Sequence, residues 1–166
     1  MPFRVRKRTH GFTYLALLIL LAIIGVTTAA TLQLGTIAQR RDAEDELLTI
    51  GSEFRNALIS YAAATPAGSP TAPPNMQVLL KDMRFPNPKR HLRKLYIDPI
   101  TGKAEWGVTM TPDRKGILGI HSLSAKPPIK VGNFPPEFQG FEKKNSYTEW
   151  IFSVSGSSAS ANMPLR

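Results

Sequence analysis

The 166-residue chain contains no cysteine, so it can form neither a disulfide framework nor a thiolate metal site, and cysteine usage leaves the redox compartment open. It also lacks the short patterns that usually carry catalysis: Gly-x-Ser-x-Gly, a phosphate-binding glycine loop, Ser-x-x-Lys and His-Glu-x-x-His. Its histidines, His10, His91 and His121, are scattered and read as solvated or singly hydrogen-bonded side chains. Nothing in the sequence assembles an active site, and the chain reads as a non-enzyme. Two further absences concern charge. Residues 1 to 10 hold Arg4, Arg6, Lys7 and Arg8 but no acid, and from Gly11 to Gln39 there is no charge at all.

The formal charge is +9 and the pI near 10.1. Such a balance points toward nucleic acid or anionic lipid, but the leader supplies four of these charges and the remainder is only mildly basic. The uncharged run, as a helix rising about 1.5 Å per residue, reaches roughly 43 Å, longer than a bilayer core requires. Leu15, Leu17, Leu18, Ile19, Leu20, Leu21, Ile23, Ile24 and Val26 are apolar on every side of such a helix. Thr28, Ala29 and Ala30 imitate a signal-peptidase site. Beyond them, however, the helical period continues without a breaker through Leu47, Ile50, Phe54, Leu58 and Tyr61, with Arg40/Glu44 and Arg41/Asp45 as i,i+4 pairs. The expectation is one helix from about residue 12 to 64, apolar all round at first and then amphipathic, ended by Pro66, Gly68, Pro70, Pro73 and Pro74. The basic start places residues 1–10 in the cytoplasm and the chain beyond about residue 40 across the membrane.

A basic leader followed by Gly11, Phe12, Thr13 and LALLILLAIIGV resembles the class III signal of type IV pilins and type II secretion pseudopilins. The resemblance implies that a prepilin peptidase cleaves between Gly11 and Phe12 on the cytoplasmic face and methylates the new amine of Phe12. It also implies an assembly surface that includes Ala16, Leu17 and Leu20. The family usually carries a glutamate as the fifth mature residue, where this chain has Ala16. A carboxylate in lipid is costly unless paired, so its loss eases membrane residence and weakens the specification of filament register, which suits an accessory subunit.

In the second half, Asn75 is positioned to cap a short helix burying Met76, Leu79, Leu80 and Met83. The stretch PKRHLRKLYIDPITGKAEWG, with the later ILGIHSLS and YTEWIFSV, is similar to the C-terminal region of the major pseudopilins. Asp98-Pro99 suits turn initiation and Gly102 a positive φ. Alternation at Trp106/Val108/Met110, Leu118/Ile120/Ser122 and Trp150/Phe152/Val154 predicts three strands, with Asp113 to Gly116 as the first turn and Pro127 to Asn145 irregular.

The resulting fold class is α+β: a long N-terminal helix, membrane-spanning in its first half, packed on a small antiparallel β-sheet in a pilin-like arrangement. Its parts are a leader (1–11), a transmembrane helix (12–39), its amphipathic continuation (40–64), a periplasmic loop-and-sheet region (65–155) and a disordered tail (156–166). The resemblance implies a single-pass protein of the bacterial inner membrane, with other pseudopilins, the inner-membrane assembly platform and prepilin peptidase as partners. No cofactor is expected apart from calcium, which relatives bind in a C-terminal loop. Asp98 is then the candidate ligand, with Asp113, Glu137, Glu142 and Glu149 as further hard ligands, against the plainer reading of Asp98 as a turn residue. Lys89, Arg90, Arg93 and Lys94 are a possible polyanion contact. They leave a second function open, a membrane-anchored basic module for DNA or envelope polyanions, although only Tyr96 lies close enough to serve as a stacking aromatic.

Overall fold

The computed structural model describes residues 10–154, with side chains at 13–24 and 36–154. The leader through residue 9 and the tail from residue 155 lie outside the described residues. The fold is mixed α and β. A 55-residue helix, α1 (His10–Ala64), is followed by α2 (Met76–Leu80) and strands β1 (Gly107–Met110), β2 (Ile117–His121) and β3 (Phe152–Ser153), which form one antiparallel sheet in the order β1-β2-β3. The chain divides into two compact units, one up to Gln39 and one from Arg40 onward.

In the first unit, Tyr14, Leu15, Leu17, Leu18, Ile19, Leu20, Leu21, Ile23 and Ile24 are all exposed, between 46 and 66%. Their positions run around the whole helix and leave no polar side. Among the described residues no helix is long and apolar enough to cross a membrane. Of the uncharged run, only residues 13–24 and 36–39 have described side chains.

In the second unit α1 is amphipathic. Leu47, Ile50, Phe54, Leu58 and Tyr61 are buried, as their spacing predicts, while Asp42, Asp45, Glu46, Thr49, Glu53 and Asn56 face solvent. Thr65 precedes Pro66, whose ring disfavours a helical residue before it, and α1 stops at Ala64. Asn75 caps α2 by accepting from the Val78 amide at 3.1 Å. Leu79 is fully buried and Met76 and Leu80 are partly so, but Met83 is 69% exposed. The helix ends at Leu80, so the i+4 position that would have carried Met83 inward is never formed.

Phe152 of β3 packs against α1 at Gly51, and Trp106, just before β1, lies 5.3 Å from Phe54. β1 pairs with β2 through Gly107/His121, Val108/Ile120 and Thr109/Gly119, then shifts register at Thr109/Met110. The shift breaks the strict alternation expected of β2: Ile117 and Ile120 are buried while Leu118 is exposed. The β1–β2 turn lies where the sequence places it, with Arg114 at φ 55 and the Asp113 carboxylate accepting from the Thr111 hydroxyl and the Lys115 amide. The irregular segment after β2 carries two short 3₁₀ turns, Pro136–Phe141 and Tyr147–Glu149. These bring Phe134, Phe138, Trp150 and Phe152 together around Phe141, which stacks on Trp150 at 5.4 Å. Much of the core is therefore contributed by a segment without regular structure.

Candidate functional site

The predicted processing and assembly residues all fall in α1. Gly11 and Phe12 occupy its first turn, and their side chains lie outside the described residues. Ala16, Leu17 and Leu20 are exposed, and Ala16 and Leu20 are one helical turn apart on the same side. With the neighbouring Leu15, Leu18, Ile19 and Leu21 they form a continuous exposed apolar surface among the described residues.

In the second unit the side-chain chemistry gathers at three places. The first is Asp98, which is fully buried. Its Oδ1 accepts from the Ile100 amide at 2.9 Å, and its Oδ2 accepts from the hydroxyls of Thr101 at 2.9 Å and Ser122 at 2.7 Å. Its backbone closes the turn with Gly102, at φ +70, and with Lys103. This carboxylate ties the turn to the end of β2, and the geometry supports its turn-residue reading. Among the described residues no group of three His, Asp or Glu side chains is placed to hold a metal ion, and neither Asp113 nor Glu149 bonds to Asp98.

The second place is the clasp between the end of α1 and the connection after α2. Asp82, fully buried, receives the Arg84 guanidinium through Nε at 2.9 and 3.0 Å and Nη2 at 2.7 Å, plus the Arg84 amide at 3.0 Å. The Arg84 hydrogen bonds hold the Asp82 carboxyl at about 2, well below the usual carboxylate range. Arg84 lies 3.8 Å above the Tyr61 ring and donates to Thr65 Oγ1 at 2.8 Å. The side chain of His91 is buried, with Nδ1 2.8 Å from Ser60 Oγ and Nε2 3.4 Å from Asp82 Oδ2. His91 is thus neither solvated nor singly bonded, contrary to the expectation from sequence. The order serine, histidine, aspartate resembles a hydrolytic triad, but both Asp82 oxygens are engaged by Arg84, and the arrangement acts as a structural clasp.

This clasp holds the predicted basic run. Lys89 pairs backbone to backbone with Asp82, and the amides of His91 and Leu92 both donate to Leu79 O. Arg90 Nη2 donates to Arg93 O at 2.8 Å, and Lys94 sits 5.2 Å from the Tyr96 ring. Lys89, Arg90, Arg93 and Lys94 are all exposed, and they stand on a fixed turn.

The third place is Glu44, only 2% exposed. Its carboxylate accepts from the amides of Ile129 at 2.5 Å and Lys130 at 3.0 Å and from the Tyr147 hydroxyl at 2.6 Å. Arg40, expected as its surface partner, instead donates to Pro127 O at 2.9 Å. Burial, and then the bond to Glu44, push the Tyr147 hydroxyl up to about 12. Glu44 fastens the segment after β2 to α1. One signal for it was present in the sequence: Glu44 falls three and four residues before Leu47 and Leu48, on the buried stripe, where an unpaired acid would not be tolerated.

Comparison with known proteins decides nothing further. No family model, no curated protein and no solved structure matches the chain.

Proposed function

We propose that this chain is a pseudopilin-like structural subunit of a type II secretion or related type IV pilus-like assembly, in an accessory position. In this reading prepilin peptidase processes it between Gly11 and Phe12, and residues 12–39 hold it in the bacterial inner membrane with the second unit in the periplasm. The observation that carries the reading is the two-part character of α1. Residues 14–24 present apolar side chains on every side, while residues 47–61 of the same helix bury one stripe in the core of the second unit. An all-round apolar helix suits lipid and the flanks of other such helices, and an amphipathic continuation gives that helix a folded domain to carry. The function is mechanical: packing of the apolar half against other pseudopilins on the assembly platform transmits motion to the second unit, and no step requires catalysis by this chain.

The decisive experiment is intact-mass measurement and N-terminal sequencing of the protein from cells with and without prepilin peptidase. The expected N-terminus is N-methyl-Phe12, lost when the peptidase is absent. An N-terminus at Thr31, or an uncut Met1 in the presence of the peptidase, refutes the reading. A basic module for DNA or envelope polyanions has weaker support, because the nearest aromatic, Tyr96, is half-buried and already lies beside Lys94.

A further inference from the structure

We infer that the basic turn at residues 89–97 is a docking surface for an acidic protein segment that also carries aliphatic side chains. Between Lys81 and Ile97 the chain has six basic residues and one acid, Asp82, and that acid is buried against Arg84. No carboxylate within the stretch is free to neutralise Lys89, Arg90, Arg93 or Lys94, and the acid that shares their depression from α1, Glu53, leaves the four cations in excess. Their backbone is already ordered by the Asp82/Lys89 pairing, the two amides on Leu79 O and the buried His91, and Arg90 is held across the turn by Arg93 O. A partner therefore meets an ordered backbone and, at Arg90, a guanidinium already held in place, so part of the ordering cost is met within the fold.

Three observations select the partner. Leu95 and Ile97 follow the basic residues and are 36 and 60% exposed, so aliphatic surface adjoins the charge. The aromatics of the stretch, Phe85 and Tyr96, are half-buried beneath or beside Arg84 and Lys94, which leaves no open ring for stacking a nucleobase. Finally, Arg90 and Arg93 line an open depression of about 580 Å³ together with Glu53 of α1. Glu53 repels a phosphate or a carboxylate placed directly against it, but the carboxylates of a peptide are discrete and can be spaced to meet the arginines while a neutral residue passes Glu53, which a continuous phosphate backbone cannot do. Arginine pairs with a carboxylate in a bidentate fork, and the turn presents two arginines.

The inference does not depend on processing at Gly11, and its failure would leave the mass-spectrometric result untouched. The test uses the full chain in neutral detergent micelles and a fluorescent helical peptide with glutamates on one face and leucines beside them, binding being read by anisotropy. Micelles carrying the Arg90→Ala/Arg93→Ala/Lys94→Ala variant give the background. Wild-type protein should bind at least about tenfold more tightly than the triple variant, with affinity falling as salt rises. Ile97→Ser should weaken binding severalfold. Equal binding by wild type and triple variant, or binding indifferent to salt, overturns the inference. So does a DNA duplex that binds as tightly with the same sensitivity to the three substitutions, which would identify the surface as a phosphate site. Tryptophan fluorescence checks that each variant is folded, and the salt dependence of the wild type tests the inference independently of any variant.

Discussion

Gly51 is the position where the second unit's packing can be tested most sharply. It lies inside α1, where glycine normally costs about 1 kcal/mol relative to alanine. A generic substitution to alanine should therefore stabilise. Here the ring of Phe152 occupies the space: a Cβ on Gly51 would lie 2.2 Å from both Cδ1 and Cε1 and 2.5 Å from Cζ. Carbon atoms pack at roughly 3.5–4.0 Å, so the ring would have to retreat by more than about 1 Å. It has nowhere to go. Phe152 is fully buried, its ring lies across those of Phe141 at 5.0 Å and Phe138 at 5.4 Å, and its backbone is in register with Ile120 in β2. Overpacking of this kind costs about 1–3 kcal/mol, and an overlap this large belongs at the upper end. Setting the helix gain against it leaves Gly51→Ala destabilising by about 2 kcal/mol, or roughly 10 °C in Tm for a unit of this size. The assay follows from the sequence. Trp106 and Trp150 are the only tryptophans and both are buried in the second unit's core, so fluorescence melting of the full chain in detergent reports this unit alone. Phe152→Leu in the Gly51→Ala background should recover part of the loss, making the double variant less unstable than the single effects predict. An unchanged or raised Tm for Gly51→Ala would refute the packing of Phe152 on α1.

Glu44→Ala should strand the amides of Ile129 and Lys130 and the Tyr147 hydroxyl, destabilising by about 3 kcal/mol, whereas Glu44→Gln, which keeps an acceptor, should cost about half as much; fluorescence melting separates them. The Tyr147 hydroxyl is raised in the folded state to about 12, so its contribution to stability is complete below pH 10 and lost as the pH climbs through 12; a tyrosinate absorbance titration of wild type against Tyr147→Phe should show one late-titrating phenol missing from the variant. Asp82 has the opposite sign: its folded value near 2 makes its contribution complete above about pH 4 and lost as the pH falls toward 2, and Asp82→Asn should flatten the acid limb of the stability curve. Ala16→Glu places a carboxylate in the apolar run, and co-purification from membranes should show altered partner choice or assembly; no change in either counts against an accessory role.

The elements set by local chemistry were legible in the sequence. The buried stripe of α1, its stop before Pro66, the Asn75 cap, the turn at Asp98 and Gly102 and the existence of three strands each follow from period or from a turn residue's own bonding. The illegible parts depend on contacts distant in sequence. Nothing near Glu44 announces that amides 85 and 86 residues away close on it, and an i,i+4 arginine offers a plausible but incorrect partner. Likewise nothing in the sequence marks Asp82 and Arg84 as partners, and His91 reads as a solvated or singly hydrogen-bonded side chain; only the approach of the end of α1, through Ser60, Tyr61 and the following Thr65, makes the three a clasp. The helix length expected for Met83 failed for a similar reason, since the Asp82/Lys89 pairing ends the helical path before that side chain can turn inward.

The buried charges at Glu44 and Asp82 share a feature that bears on the proposed role. Each fastens an irregular segment to the second half of α1, one at Glu44 itself and the Asp82 clasp, through His91, at Ser60. At about 1.5 Å per residue these points are roughly 24 Å apart along the helix. An apolar stripe alone would hold helix and sheet together but tolerate small slips, because hydrophobic contact has no direction. Two carboxylates with fixed donors at separate levels do not tolerate slip, since any displacement leaves buried polar groups unpaired at a cost of about 1–3 kcal/mol each. A subunit that transmits force from one half of a helix to a domain carried on the other needs this resistance to sliding. An anchor that merely tethers a binding module does not. Removing both fastenings, by Glu44→Ala with Asp82→Ala, should therefore impair assembly-dependent work before it abolishes membrane residence, and loss of membrane residence first would favour the tether.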